Sequence, residues 1–125
     1  MGNLQSFEEL SCWQEARILR NFVKDVIVPT FPEKEKYSLQ SQIIRSSRSI
    51  GNNVAEGFGR FHFQENIQFC RMARGSLFET LDHVIIARDE GYISPETAEE
   101  FRGIYGKTLL ILNGYIKYLK RKKTE

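Results

Sequence analysis

The residues of this chain with usable chemistry are cations. Arg45, Arg48 and Arg60, then Arg71 and Arg74, then Lys117, Lys120, Arg121, Lys122 and Lys123, are the groups that could hold phosphate. Arginine offers planar, bidentate donors to phosphate oxygens, and lysine offers a point charge. Their distribution is uneven. Residues 1–36 carry a net −1, 37–76 a net +3, 77–105 a net −5 and 106–125 a net +5. Two basic segments flanking an acidic one can attract an anionic polymer, although the same charges also suit plain solvated helix faces. The sequence pI of 8.6 sits below the value above about 9 that marks many dedicated nucleic-acid domains. Support for such a ligand from charge alone is therefore modest.

Other chemistries find less to work with. Glu79 and His83 form the one i,i+4 pair able to chelate on a helix. A dinuclear iron bundle would need Glu-x-x-His repeated on two helices, and that repeat is absent, so the pair reads as a surface contact and no metal or cofactor is expected. Cys12 and Cys70 fall in helical patterns with no evident base, and Ser46, Ser47 and Ser49 lie mid-helix. A nucleophile needs a positioned base and a third group to orient it. Gly57-Phe-Gly-Arg has neither the glycine spacing nor the following Lys-Ser/Thr of a phosphate-binding loop. No catalytic residue is assigned, and the chain reads as non-enzymatic.

The elements that must position the cations are four helices in a single domain, 1–125, with a short N-terminal lead (1–10) and a basic C-terminal tail (117–125). Ser11 is placed as the N-cap of a first helix reaching about Val28, with Trp13, Ala16, Leu19 or Arg20, Val23 and Ile27 at helical spacing. Pro29 and Pro32 end it, and Phe31 in the linker is expected to pack back on the bundle end. A second helix spans about Tyr37 to Phe58. At 100° per residue, Leu39, Ile43, Ser46, Ile50, Asn53, Val54 and Gly57 share one side, and Ser41, Arg45, Arg48, Asn52 and Glu56 the other. Ile44, Gly51, Ala55 and Phe58 lie between, small enough in part for another helix to approach closely. Asn53 on the core side would fix helix register. Glu56 can pair with Arg60, or with Arg45 or Arg48 on its own face. Gly57 or Gly59 suits a left-handed exit.

The third helix runs from about Phe63 to Glu90, with Cys70, Ala73, Leu77, Leu81, Val84 and Ile85 inward and Gly91 as its cap. Ser94-Pro95-Glu96 opens the fourth, whose core stripe is Phe101, Tyr105, Thr108, Leu112, Ile116 and Leu119. Phe69, Met72 and Ile86 on the third helix, with Ile104, Ile111 and Tyr118 on the fourth, exceed what one bundle buries and form a candidate face between copies. Long amphipathic helices with short connections give an all-α, antiparallel up-down-up-down four-helix bundle. No run of about 18 apolar residues marks a membrane span, and MGNLQSFEEL lacks the pattern of a secretory signal. MGNLQS matches a loose myristoylation pattern through Gly2 and Ser6, too short to carry a lipid anchor. Two cysteines suggest a reducing cytoplasm.

Several of these residues together resemble a known family. They are Trp13 and Ala16, Phe31-Pro32, Glu35-x-Tyr37-x-Leu39-x-x-Gln42-Ile43, Arg45 and Ser49-Ile50. The pattern continues through Asn53-Val54-Ala55-Glu56-Gly57, Gly59-Arg60, Glu65, Ala73-x-Gly75-Ser76-Leu77-x-Glu79 and Gly91-Tyr92. The chain is similar, over about residues 7–119, to the four-helix bundle proteins encoded in intervening sequences of bacterial large-subunit ribosomal RNA genes. Accessory variability proteins of diversity-generating retroelements are relatives of that family. The resemblance implies a homopentamer with a basic surface that associates with RNA or DNA; in the retroelement relatives the bundle also binds a reverse transcriptase. An acidic, polymerase-type protein partner is therefore the alternative to nucleic acid. This chain departs from the pattern at Ser46, Ser47 and Arg48, where the family has arginine and then alanines. It also has His62 in place of the serine that would cap the third helix with Glu65.

Overall fold

The structure, a computed structural model, describes residues 4–125; Gly2 of the myristoylation pattern lies outside them. Among the described residues the only long elements are four helices: α1 (Ser11–Phe22), α2 (Leu39–Phe58), α3 (Phe63–Asp89) and α4 (Pro95–Thr124), and none of them is long and apolar enough to cross a membrane. Contacts between the helices show that each runs antiparallel to its neighbours. Ser46 meets Thr80 and Ser49 meets Ser76 across α2 and α3, while Arg74 meets Asn113 and Asn66 meets Tyr115 across α3 and α4. Phe22 packs on Phe101 and Glu15 pairs with Lys107, which returns α4 to α1. The core contains Leu19, Ile43, Ile50, Val54, Leu77, Val84, Phe101, Leu112 and Leu119, all fully buried.

The start of the bundle differs from the sequence reading in a small way. Ser11 is the first helical residue, and Leu10 occupies the cap position without a side-chain bond. The serine that caps is Ser6. Its hydroxyl accepts from the Glu8 amide at 3.1 Å, and Glu9 accepts from the Ser6 amide at 3.2 Å, which fixes a short 3-10 turn, Phe7–Glu9. Phe7 then sets its ring edge-on against Trp13, centroids 5.1 Å apart. Beyond Phe22 the backbone stays helical but changes type, widening to a π turn at Val23–Ile27 and tightening to a 3-10 turn at Val28–Thr30. Pro29 supplies the reason. It has no amide to donate and its ring crowds the preceding turn, so the ladder is re-paired around it.

The linker is pinned at one carboxylate. Glu35 accepts from the Ser38 hydroxyl, from the Leu39 amide at 3.2 Å and from the Tyr92 hydroxyl at 2.7 Å. These bonds begin α2 at Leu39 rather than Tyr37, leaving Tyr37 exposed. Phe31 packs on Tyr92, centroids 5.7 Å apart, as its place in the linker suggested. Hydrogen bonds from Ser38 first, then from Tyr92, hold the Glu35 carboxyl below its ordinary value.

Glycine does two separate jobs in this fold. Gly91 takes the left-handed conformation, φ 78°, that ends α3. Gly57 and Gly59 do not, contrary to the expectation for the α2 exit: Gly59 has φ −72° and Gly57 lies within the helix. Gly57 is needed for space. A Cβ there would lie 2.6 Å from Asn66 Oδ1 and 2.9 Å from Phe69 Cβ, so α3 can approach only a bare backbone. Gly51 plays a milder version of this role toward α1, where a Cβ would stand 3.3 Å from Trp13 Nε1. With Ser47 also buried, α2 is covered on two flanks. Asn53, expected in the core, is only half-buried, because Val54 takes the inward position beside Ile50. Its amide donates to the Ser49 carbonyl at 2.9 Å and hydroxyl at 3.0 Å on its own helix, so it bridges no two helices itself. Register is set instead by the Ser46–Thr80 bond at 2.8 Å and the Ser76–Ser49 bond at 2.9 Å. His83, read as half of a surface pair, is buried, 7% exposed. It bonds Glu79 at 3.1 Å through Nε2, and its Nδ1 has no partner among the described residues.

Two outcomes follow from this packing. Gly57→Ala is expected to destabilise the protein by about 1–3 kcal/mol, since Phe69 Cβ cannot yield without moving α3; that outweighs a helix-propensity gain of roughly 1 kcal/mol. Urea unfolding measures it. The lowered Glu35 pKa contributes stability that is complete above the ordinary carboxylate value of 4.5 and is lost as pH falls through the lowered native value. Glu35→Gln should therefore show a shallower fall of the urea midpoint between pH 5 and strongly acidic pH than the parent chain.

Candidate nucleic-acid interface

The cations named from sequence fall in three places. Arg45 and Arg48 stand exposed on the outer strip of α2 with Ser41, Asn52 and Glu56, as its angular pattern required. Because Ser47 and Gly51 let α1 come close, this strip borders a groove between the two helices. One hollow in it, about 360 Å³, is lined by Arg20, Asn21, Val23, Lys24, Ile44, Ser47, Arg48 and Asn52. A second hollow shares Ile44, Arg48 and Asn52 and adds Arg45, Ser41 and Ser49. Three cations, Arg20, Lys24 and Arg48, thus line the hollow between the helices, and Arg45 lines the adjoining hollow on α2, with side-chain amides from Asn21 and Asn52 and no carboxylate among the residues of either. Ser47 donates back to the Ile44 carbonyl at 3.1 Å, so its hydroxyl serves the helix.

Arg20 and Lys24 were not among the sequence candidates. Arg20 stood there only as the alternative to Leu19 in the core stripe; Leu19 is buried and Arg20 is half-buried beside the groove. The signal for them was present in Arg17, Arg20 and Lys24, spaced three and four apart on the same helix side. Lys24 also lies 3.6 Å from Asp25, both side chains being well exposed, a contact worth little in water.

The second group gathers at the end of the bundle where α2 turns into α3. Arg60 sits between Glu56 and Glu65, 3.4 Å from each, with its guanidinium 5.0 Å above the Phe69 ring. Of the partners considered for Glu56, Arg60 is the one it takes. His62 precedes α3 without a side-chain cap bond, so the missing serine is not replaced. The tail residues lie nearby because α4 continues helically to Thr124. Lys123 donates to Gln64 in the first turn of α3, Lys122 pairs with Glu125 at 2.9 Å, and Lys117, Lys120 and Arg121 are exposed. The Phe61 ring beside them is 98% exposed. Arg71 and Arg74 form the third place, on α3. Arg71 is exposed, while Arg74 donates to Asn113 at 2.9 Å and ties α3 to α4. The structure does not bring these two to the groove.

The remaining nucleophile candidates are embedded. Burial pushes the Cys12 and Cys70 thiols up to about 12, which leaves them protonated near neutrality. Ser46 is buried and bonded to Thr80 and to the Ile43 carbonyl. Burial also raises the Tyr115 hydroxyl, although the Asn66 bond opposes this. Among the described residues no group of three or more potential ligands could hold a metal ion.

Of the face suggested for contact between copies, Met72 and Ile86 are exposed. Phe69, Ile104, Ile111 and Tyr118 are half-buried, Phe69 beneath Arg60 and the other three against the core. Leu110, 74% exposed on α4, and Phe78 on α3 were not anticipated. Gly75 is exposed with open space where a Cβ would stand, and so are Gly103, Gly106 and Gly114 on α4.

Comparison with known proteins agrees with the fold. A crystallised protein of unknown function from the S23 ribosomal protein family of Bacteroides thetaiotaomicron superposes with a TM-score of 0.76, at 20% identity, over 85% of this chain and 98% of that one. No curated relative matches the chain. The family model described as 23S rRNA-intervening sequence protein matches residues 8–114. The first three helices, most of α4, the Asn53-to-Gly57 segment and the α3 glycine Gly75 fall inside that span, and the chain belongs to the 23S rRNA-intervening sequence protein family.

Proposed function

We propose that this chain is a non-enzymatic, self-associating helical scaffold of the cytoplasm that binds nucleic acid through the α1–α2 groove. The observation that carries the reading is the convergence of Arg20, Lys24 and Arg48 on one hollow, with Arg45 in the hollow that adjoins it. Guanidinium and ammonium groups that close together neutralise successive phosphates and release counterions. Asn21 and Asn52 add neutral donors and acceptors for sugar or base edges.

Self-association rests on the opposite side of the bundle. Gly103, Gly106, Leu110 and Gly114 recur at spacings of three and four along one strip of α4. Each glycine inside an exposed helix costs about 0.5–1 kcal/mol relative to alanine. Nothing within the chain requires that cost, since the Cβ positions are open. Close approach of a second copy would make use of it, with Leu110 and Met72 as apolar anchors. Five copies in a ring is the number that the family resemblance implies.

Two measurements test these parts separately. Nucleic-acid affinity measured across a salt series should fall as salt rises, and the Arg45→Gln/Arg48→Gln variant should lose roughly 1.4–1.8 from the log–log slope. A flat salt response, or no binding at low salt, overturns the ligand. Light scattering at micromolar concentration should give a mass well above the 14.6 kDa of one chain. Leu110→Glu should return it to that mass with helicity intact; a monomeric parent chain overturns the assembly.

A further inference from the structure

We propose that the α2–α3 turn, together with the end of α4 beside it, is a stacking platform that selects single-stranded nucleic acid, with Phe61 as the surface on which a base lies. The inference rests on the preceding reading that the chain binds nucleic acid and adds the class of strand it prefers.

The turn reads Gly59-Arg60-Phe61-His62-Phe63. Phe61 is 98% exposed, and Phe63 two residues on is 40% exposed. An isolated surface aromatic is unremarkable. This one sits on a braced turn among cations. Arg60, which precedes it, is held by carboxylates from both flanking helices and lies over the Phe69 ring. The turn is therefore fixed from beneath while the Phe61 ring stays outside. Lys123 reaches Gln64, one turn from Phe61 in sequence, and so places the end of α4 alongside. Residues 117–123 contribute five cations, of which Lys122 pairs with Glu125 and Lys123 with Gln64, while Lys117, Lys120 and Arg121 have no carboxylate partner among the described residues.

An aromatic face flanked by lysine and arginine is the combination that holds single strands: the cations follow the backbone while a base stacks on the ring. Duplex bases are already stacked and paired, so a ring outside the helix gains little from them. Charge complementarity favours this occupant over a protein groove, since an apolar socket for Phe61 would not call for the adjacent run of lysines. The α1–α2 groove differs in kind. Its cations and amides contain no exposed ring and treat both strand classes as phosphate.

Fluorescence anisotropy with labelled oligouridylate, oligothymidylate and a duplex, each roughly a dozen nucleotides long, tests the proposal and separates RNA from DNA. Phe61→Ala is expected to weaken both single strands by roughly 5- to 150-fold, the range for loss of one stacked base. Duplex affinity should be unchanged. Phe61→Trp should keep single-strand affinity, and its emission should be quenched when either single strand binds. Because the ring touches little of its own chain, the circular dichroism of both variants should match the parent.

Parent-like single-strand binding by Phe61→Ala, or an equal loss on duplex, overturns the platform and leaves the groove standing. If the parent chain binds no nucleic acid at low salt, both readings fall together. If Phe61→Ala changes only the mass seen by light scattering, the ring is a contact between copies and the proposal is overturned.

Discussion

Everything in this bundle depends on how closely α3 approaches α2 at Gly57. No side chain fits there, because Asn66 and Phe69 already occupy the space that a Cβ would need. Once the backbones are that close, the hydroxyls further along can meet. Ser46 bonds Thr80, and Ser49 bonds Ser76 while Asn53 braces Ser49 from its own helix. A slip of one residue in either helix would break both hydroxyl pairs and leave Ser46 and Thr80 only the carbonyls of their own helices, a cost of about 0.5–1.5 kcal/mol for each lost bond. The register is thus specified by short polar residues, with the aliphatic core filling in behind them.

The surface chemistry follows from that packing. Ser47 and Gly51 turn a second flank of α2 toward α1, so only one strip of α2 is left for water. Arg45, Arg48, Asn52 and Glu56 stand there because they can stand nowhere else on this helix. The residues that meet the strip are Arg20 and Asn21 of α1 and Lys24 of the π turn that continues it. The groove is accordingly a product of how near two helices come. Were Gly51 a bulky residue, α1 would be held away and the cations would spread over two separate ridges.

Much of this was legible in the sequence and some of it could not be. Helical period, proline breaks, the Ser94-Pro95 start and Gly91 all report local physics, and the helices begin and end close to where those residues place them. What escaped was information carried between elements. Asn53 and Val54 lie about 100° apart on either side of the inward direction, so a wheel cannot decide which of them enters the core; the positions of the neighbouring helices decide it. His83 lies at the edge of the inward stripe, and only the neighbouring helix covers it. Arg20 competes with Leu19 for the same stripe until α2 is in place. The π turn at Val23–Ile27 is a non-local response to Pro29, and no single residue within it announces the change. For Phe61 the sequence shows an aromatic in a turn, and its exposure depends on Arg60 being drawn down onto Phe69 beneath it.

The ten cations show most clearly what a formal charge count conceals. Arg60 is matched by two carboxylates, Arg74 is committed to Asn113, Lys122 to Glu125 and Lys123 to Gln64. Those four hold turns and helix ends in place. Arg45, Arg48, Arg71, Lys117, Lys120 and Arg121 have no ion-pair or hydrogen-bond partner among the described residues, and a phosphate can recruit them without first breaking one; Arg121 alone of the six lies over a ring, that of Tyr118 at 6.0 Å. The two sets are alike in residue type, and they differ in what surrounds them: Arg74 and Lys123 meet a neighbouring helix, Lys122 meets Glu125 three residues on, and Arg60 meets an acid from each side of its turn. Arg20 joins the available set for the same reason, and Lys24 nearly so, its one partner being the exposed Asp25 beside it. A net charge of +2 therefore describes the molecule poorly: residues 77–105 carry a net −5, while no carboxylate lines the hollow that Arg20 and Lys24 share with Arg48. Like charges gathered around one hollow repel one another, and a bound anion between them would relieve the repulsion.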